Sequence, residues 1–304
     1  MMKENANRPK IGFVGHGYIG KNYANDFERR GYEVVRYSLE EPYITNKEKI
    51  STCDIVFIAV PTPTVPSKEG QKTYFDDSIV RGAIGLVGEG KIVVVKSTIL
   101  PGTTESFQQD YPDRVVLYSP EFLSEATAGY DAEHPFCNIV GISADDAIHR
   151  TAAEQVLSIL PQAPFSRIMS STEAEIVKYS HNASGYVQII LFNLMYDLAQ
   201  SFGYSWENIE LALKADPLIS NRYANPIHKS GRGAGGHCFI KDFAALREIY
   251  EERVGDPAGL TVFSAVEEKN ISLLQQSKKD LDLLEGVYGS NGKTTRSLEE
   301  EFNV

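Results

Sequence analysis

Ile11-Gly12-Phe13-Val14-Gly15-His16-Gly17-Tyr18-Ile19-Gly20 is the stretch on which the fold turns. An apolar run of strand length leads into G-x-G-x-x-G, and a helical pattern follows at once. Gly15 and Gly17 permit a tight turn with close backbone approach, and Gly20 lets the helix pack on the strand. The N–H groups that open the helix then face a pyrophosphate. The stretch therefore predicts the first βαβ turn of a dinucleotide-binding domain, with Gly15, Gly17, Tyr18, Ile19 and Gly20 against the cofactor.

Outward from this turn, apolar runs at residues 33–37, 54–60, 92–95, 115–118 and 138–142 alternate with helix-length segments. That alternation means parallel strands joined by crossover helices, a doubly wound α/β sheet of the Rossmann-like kind. From Ser171 the pattern turns helical, with Thr172-Glu173 as the N-terminal cap and residues 175–201 as a long helix. Pro161 and Pro164 bracket a loop before one more strand-like piece, which puts the domain change near Ser170. The expected organisation is a dinucleotide-binding domain over 1–170 and a mostly helical domain over 171–285 that ends in a long central helix, 258–285. Residues 286–304, with Glu299-Glu300-Glu301, are too polar to offset their ordering entropy and are expected to form a frayed tail.

Composition excludes several classes. The 304 residues carry 30 basic and 41 acidic side chains, a net charge of −11, without the concentrated basic face that phosphate neutralisation needs, so no nucleic-acid partner is expected. An apolar fraction of 42% suffices for a large core and excludes a wholly disordered chain. The first ten residues are polar, and no later apolar run has spanning length, so neither a signal peptide nor a membrane anchor is expected. Three well-separated cysteines, Cys53, Cys137 and Cys238, spell neither a disulfide framework nor a metal site. A cytoplasmic location follows from these features.

At the end of the second strand, the acidic residue that usually grips the adenosine ribose is replaced by Ser38. A short polar residue there removes repulsion towards a 2′-phosphate. No arginine follows it directly, however, and Arg36 is compatible with either orientation, so NAD is read ahead of NADP.

Two further constellations carry chemistry. Gly231-Arg232-Gly233-Ala234-Gly235-Gly236-His237-Cys238 ends a glycine-rich loop with a thiol at the start of a helix, and Lys241-Asp242 follow. A helix N-terminus and a nearby lysine both favour a thiolate. Cys53 and Cys137, among strand-like neighbours, read as small buried hydrophobes. Lys178 and Asn182 stand at i and i+4 of the long helix and share a face, so an ammonium and a carboxamide can converge on a developing oxyanion. Spacing alone also fits a solvated lysine and an ordinary helix asparagine.

These motifs occur together in the order found in the UDP-glucose/GDP-mannose dehydrogenase family, which the chain resembles. The pieces are Gly15 to Gly20, Val60-Pro61-Thr62-Pro63, Lys96-Ser97-Thr98-Ile99-Leu100-Pro101-Gly102-Thr103-Thr104, Ser119-Pro120-Glu121-Phe122-Leu123-Ser124-Glu125, Lys178-Tyr179-Ser180-His181-Asn182, and Gly235-Gly236-His237-Cys238 with Lys241-Asp242. The resemblance implies oxidation of a nucleotide-sugar C6 alcohol to a carboxylate with two NAD. Cys238 would be the nucleophile, Glu121 the base for the hydrolytic water, and Lys178 and Asn182 the oxyanion stabilisers. Thr98 and Asp242 would hold the water. Pro61, Thr62, Thr98 and Ser38 would join the cofactor site, while Phe122, Leu123 and Gly235 would join the substrate site; Arg232, in the glycine loop, is read beside them as a holder of substrate phosphate, its own or a neighbouring subunit's. The resemblance also implies a homodimer through the helical domain.

The match has gaps. Family members carry a third α/β domain for the substrate nucleotide, and the polar sequence after Glu285 is expected to form no such sheet. The chain thus reads as a short form. An arginine common in the family falls at Cys137, and an Asn-Glu pair reads Asn193-Leu194. Two other readings stay open: a single-step hydroxyacid or phosphogluconate-type dehydrogenase, which needs no thiol, and a non-catalytic cofactor-binding relative.

Overall fold

The computed structural model describes residues 8–65, 74–229 and 231–289. In chain order the first elements are β1 (Ile11–Val14), α1 (Tyr18–Arg29), β2 (Val34–Tyr37), β3 (Ile55–Ile58), β4 (Thr64–Val65), β5 (Tyr74–Phe75), α2 (Ser78–Ile84), β6 (Ile92–Val95), α3 (Thr103–Asp110) and β7 (Val115–Tyr118). They continue as α4 (Ala128–Glu133), β8 (Cys137–Ile142), α5 (Ala147–Ile159), β9 (Phe165–Ser170), α6 (Ser171–Ser201), α7 (Glu207–Ala215), β10 (Ile227–His228), β11 (Gly231–Arg232), α8 (His237–Arg253), α9 (Pro257–Ser277) and α10 (Leu281–Tyr288).

The chain divides into two compact units, Met1–Thr62 with Asp76–Lys178, and Pro63–Phe75 with Tyr179–Val304. The first holds a seven-stranded sheet in the order β2-β1-β3-β6-β7-β8-β9. Every residue of β1, β3 and β6 is buried, as expected of parallel strands covered on both faces. Phe13 stacks on Phe57 at 5.1 Å, and Ile11, Phe27, Val94, Leu117 and Val156 complete one core. Strand order reverses between β2-β1 and β1-β3, so the crevice at the carboxyl ends of β1 and β3 is the switch point where such sheets take ligands.

One pairing departs from the expected all-parallel sheet: β8 runs antiparallel to β7. The link between them is no crossover. Its helix α4 has six residues and packs on α1, so the chain re-enters the sheet from the end at which β7 leaves it.

The second unit is helical, with the small hairpins β4-β5 and β10-β11. Its apolar clusters centre on Tyr186, Phe243 and Leu273, on Ile240, Leu274 and Leu284, and on Phe192 and Trp206. The start of α6 is capped by Ser170 rather than Thr172. The Ser170 hydroxyl accepts from Glu173 N at 3.2 Å, and the Glu173 carboxylate accepts from Ser170 N at 2.9 Å, a reciprocal capping box. The expected single helix over 258–285 is broken: α9 ends at Ser277, and α10 starts after Lys278 and Asp280, both left-handed. The expected tail begins too early as well. α10 runs to Tyr288 because Val287 is buried and the Tyr288 hydroxyl donates to Glu267 at 2.6 Å. Residues 290–304 of that tail lie outside the described residues. Among the described residues no helix is long and apolar enough to cross a membrane.

Candidate active-site residues

The turn after β1 has the geometry its glycines predict. Gly15 sits at φ +96°, and a Cβ there would fall 2.2 Å from the Ala59 carbonyl oxygen. A Cβ on Gly20 would fall 2.0 Å from the Gly15 carbonyl oxygen, so α1 packs directly on the turn. Gly17 is different: it is exposed, and a Cβ there would meet nothing within 4 Å. Gly17 also occupies the N-cap of α1 without a side-chain cap, and the first turn holds no acid. The opening of α1 therefore presents positively polarised N–H groups with no side-chain cap or acid beside them, a cradle that fits a dinucleotide pyrophosphate. Tyr18 and Ile19 begin α1, and Pro61 and Thr62 follow β3 at the same end of the sheet.

Beside this turn Arg36 is buried and faces α1. Its guanidinium donates to both Glu28 oxygens at 3.0 and 2.7 Å and to Asn25 Oδ1 at 2.8 Å, and it lies 3.1 Å from His16 Nε2. Burial, with Arg36 and Lys21 adding to it, holds the His16 imidazole below its usual range. Arg36 is thereby neutralised by Glu28. Ser38 closes a local turn with Glu40, its hydroxyl 3.3 Å from both Glu40 N and O.

At the carboxyl end of β7, Glu121 and Lys178 form a buried pair. Lys178 Nζ donates to the Glu121 carbonyl at 2.7 Å and its carboxylate at 3.1 Å, and Leu123 N donates to the other carboxylate oxygen at 2.8 Å. Phe122 covers the ammonium, with its ring centroid 5.6 Å from Nζ. Thr98, three residues past β6, is partly exposed.

Lys96 opens the motif that follows β6, and the motif alone assigns it no role. Lys96 is 2% exposed, with Nζ 3.3 Å from both Ser119 O and Oγ and 4.2 Å from the Tyr23 ring centroid. Burial lowers its pKa to about 8 against the pull of Glu121. A lysine ending an apolar strand was the available signal. Cys53 is fully buried, and burial pushes its thiol up to about 11. Cys137 is partly buried and its thiol is likewise raised by burial, opposed by Lys96.

In the second unit Asn182 Nδ2 donates to Asp242 Oδ2 at 2.6 Å, and Lys241 Nζ donates to Asp242 Oδ1 at 2.5 Å. Asp242 is 2% exposed, so its carboxylate is satisfied by one amide and one ammonium. Cys238 is the second residue of α8, partly buried, behind an N-cap glycine at φ +83° with no side-chain cap and no acid in the first turn. That end of the helix dipole favours a thiolate. Arg232 is bound within its own unit: it donates to Asn193 Oδ1 at 2.8 Å and Asn193 O at 3.1 Å, and it pairs with Asp197 at 2.6 Å. The proposed site residues thus form two groups: Thr98, Glu121 and Lys178 in the first unit, and Asn182, Asp242 and Cys238 in the second. Among the described residues no cluster of His, Cys, Asp and Glu could hold a metal ion.

Residues 42–158 match the model of the "UDP-glucose/GDP-mannose dehydrogenase family, NAD binding domain", and residues 172–271 match that of the family's central domain. The chain belongs to this family. Its cofactor is NAD, which the glycine turn fits.

Similar proteins within the family include the putative UDP-glucose 6-dehydrogenase YtcA of Bacillus subtilis, 28% identical over 68% of this chain and 48% of that protein. The UDP-glucose 6-dehydrogenase AglM of Haloferax volcanii is 26% identical over 95% of this chain and 75% of that protein. Among solved structures, a UDP-glucose dehydrogenase from Pyrobaculum islandicum superposes with a TM-score of 0.73 at 26% identity, covering 91% of this chain and 72% of that one. The chain thus spans about half of one of these relatives and about three-quarters of the other two.

Proposed function

We propose that this chain is an NAD-dependent dehydrogenase that oxidises the C6 primary alcohol of a nucleotide sugar to the carboxylate in two successive oxidations, with Cys238 holding the intermediate. The observation that carries it is Cys238 at the uncapped, acid-free start of α8 behind its glycine loop, since a single oxidation of an alcohol needs no thiol. Bound NAD supplies the hydride acceptor at each oxidation.

The chain's own groups do the rest. Lys178 and Asn182 stabilise the alkoxide as the alcohol passes its proton to water, and the Cys238 thiolate then adds to the aldehyde carbon to give a thiohemiacetal alkoxide held by the same two groups. The second oxidation leaves a thioester. Water held by Thr98 and Asp242 gives a proton to Glu121 and attacks the thioester carbon, the carbon–sulfur bond breaks, and the thiolate returns. Lys178 Nζ contacts the Glu121 carboxylate directly, at 3.1 Å, and so fixes where that base stands. Phe122, Leu123 and Gly235 are assigned to the sugar. Arg232, tied to Asn193 and Asp197, is assigned to the loop rather than to a phosphate.

The partner is a second copy. Val187, Leu191, Leu194, Leu198 and Phe202 recur on one face of α6 and its C-terminal extension and are all exposed, Leu198 at 51% and Phe202 at 71%. The few, separated cysteines suit a reducing cytoplasmic setting.

Turnover of a panel of nucleoside diphosphate sugars by the wild type and Cys238→Ala tests the reading. Activity abolished by the substitution supports it. Undiminished activity in Cys238→Ala points to a single-step dehydrogenase, and cofactor binding without reduction of any panel member points to a non-catalytic relative.

A further inference from the structure

The loop that carries Cys238 is held, residue by residue, by side chains from the end of α9 and the turn beyond it. Arg232 N donates to Ser277 Oγ at 3.0 Å, Lys279 Nζ donates to Gly233 O at 2.9 Å, and Gly236 N donates to Asp280 Oδ2 at 2.8 Å. Asn270 takes both main-chain groups of Ala234, accepting from its N–H at 2.7 Å and donating to its carbonyl at 3.0 Å. At Gly235 a Cβ would lie 2.0 Å from Asp280 Oδ2, so the carboxylate rests directly on the backbone there. Four side chains thus template five consecutive loop residues.

The turn that makes this possible is conformationally expensive. Lys278 and Asp280 are left-handed at φ +54° and +53°, where L-residues are disfavoured. Asp280 occupies the N-cap position of α10 yet makes no capping bond, because its carboxylate is spent on Gly236, the N-cap residue of α8. Lys279 is 6% exposed with its ammonium directed to a loop carbonyl, and burial lowers its pKa. An arrangement that forgoes a cap, buries a lysine and adopts two left-handed residues needs a compensating gain, and the contacts it makes are to the glycine loop.

We infer that Ser277, Lys279 and Asp280 are positioning residues that brace the glycine loop and so fix where the Cys238 thiolate stands. A loop built from Gly231, Gly233, Gly235 and Gly236 loses much conformational freedom on ordering, and only His237 stands between Gly236 and the residue that carries the sulfur. The brace supplies the order that the loop's own side chains cannot. This inference rests on the reading of Cys238 as nucleophile.

The test compares Asp280→Gly, which removes the carboxylate and accepts the left-handed backbone, with Asp280→Asn, which keeps an acceptor oxygen. Ser277→Ala is the second site, should Asp280→Gly not fold. Three quantities are read: amide hydrogen exchange at Gly236 (at Arg232 for Ser277→Ala), alkylation of Cys238 by iodoacetamide against a Cys238→Ala background, and kcat and KM for NAD and sugar. Asp280→Gly is expected to speed exchange and lower kcat, each about tenfold or more, with KM within about twofold, since small displacements of a reacting group cost rate rather than affinity. Asp280→Asn is expected to restore most of both. Exchange, alkylation and kcat in Asp280→Gly all within about twofold of wild type, or Asp280→Asn as impaired as Asp280→Gly, would overturn the brace. Failure of the nucleophile reading shows separately, as turnover surviving in Cys238→Ala, and exchange and alkylation still judge the brace in that case.

Discussion

Lys178 Nζ lies 2.7 Å from the main-chain carbonyl of Glu121 and 3.1 Å from its carboxylate, and both side chains are almost wholly buried. One ammonium thus ties down both the backbone that exits β7 and the side chain it carries. Removing one member of such a pair strands the other in low dielectric, at a typical cost of about 3–5 kcal/mol. Lys178→Met is expected to destabilise by that order, and Lys178→Met with Glu121→Gln to recover a clear part of the loss, measured by urea unfolding. A double variant as unstable as the single one would contradict the pairing.

Lys96 gives a pH dependence of definite sign. Its folded pKa of about 8 lies below the usual 10.5, so between these values the unfolded chain binds more protons. The Lys96 contribution to stability therefore rises with pH through that window. Glu121 and Lys178 act on the same ammonium, Cys137 faces it from β8 and Tyr23 from α1. Lys96→Met is expected to lose this rise, as the difference between the two proteins' unfolding free energies from pH 7.5 to 9.5. Cys53, raised to about 11, titrates in both proteins and cancels.

Glu175 makes the opposite prediction. Its carboxylate is fully buried and accepts from Gly102 N at 2.5 Å and Thr104 N at 2.9 Å, yet burial outweighs these donors and raises its pKa to about 7. The folded chain binds the extra proton between about 4.5 and 7, so this group's contribution to stability falls as pH rises through that range. Glu175→Gln is expected to flatten that fall, read as the change in unfolding free energy between pH 5 and pH 8 relative to wild type.

The glycine turn separates packing from binding. Gly20→Ala forces a Cβ to 2.0 Å from a backbone oxygen and is expected to cost more than about 2 kcal/mol. Gly17→Ala meets nothing within 4 Å and should change stability by less than about 0.5 kcal/mol, while weakening NAD binding in calorimetry because it fills the pyrophosphate cradle. Equal NAD affinity in Gly17→Ala would move the cofactor away from this turn.

Much of this was legible in the sequence for stated reasons. The β1-α1-β2 unit follows from glycine spacing, and the six sheet strands nearest the amino terminus match their apolar runs to within two residues at each end. The orientation of β8 was not legible, because it depends on the path of the link from β7 and not on the strand itself. The break between α9 and α10 was hidden because Lys278 and Asp280 are not the glycines or asparagines that usually mark a left-handed turn. Ser170 and Glu173 wrote a capping box, displaced by two residues from the cap that was read. Cys238, Lys178 and Glu121 are candidates through their motifs, whereas Lys96 and the brace on the glycine loop depend on burial and on contacts distant in sequence.

The most direct test is stoichiometric. A limiting amount of the sugar nucleotide turned over with excess NAD should yield two reduced nicotinamides per sugar consumed and a carboxylate product. One reduced nicotinamide per sugar, with the aldehyde or ketone as the final product, would contradict the thiol-held double oxidation.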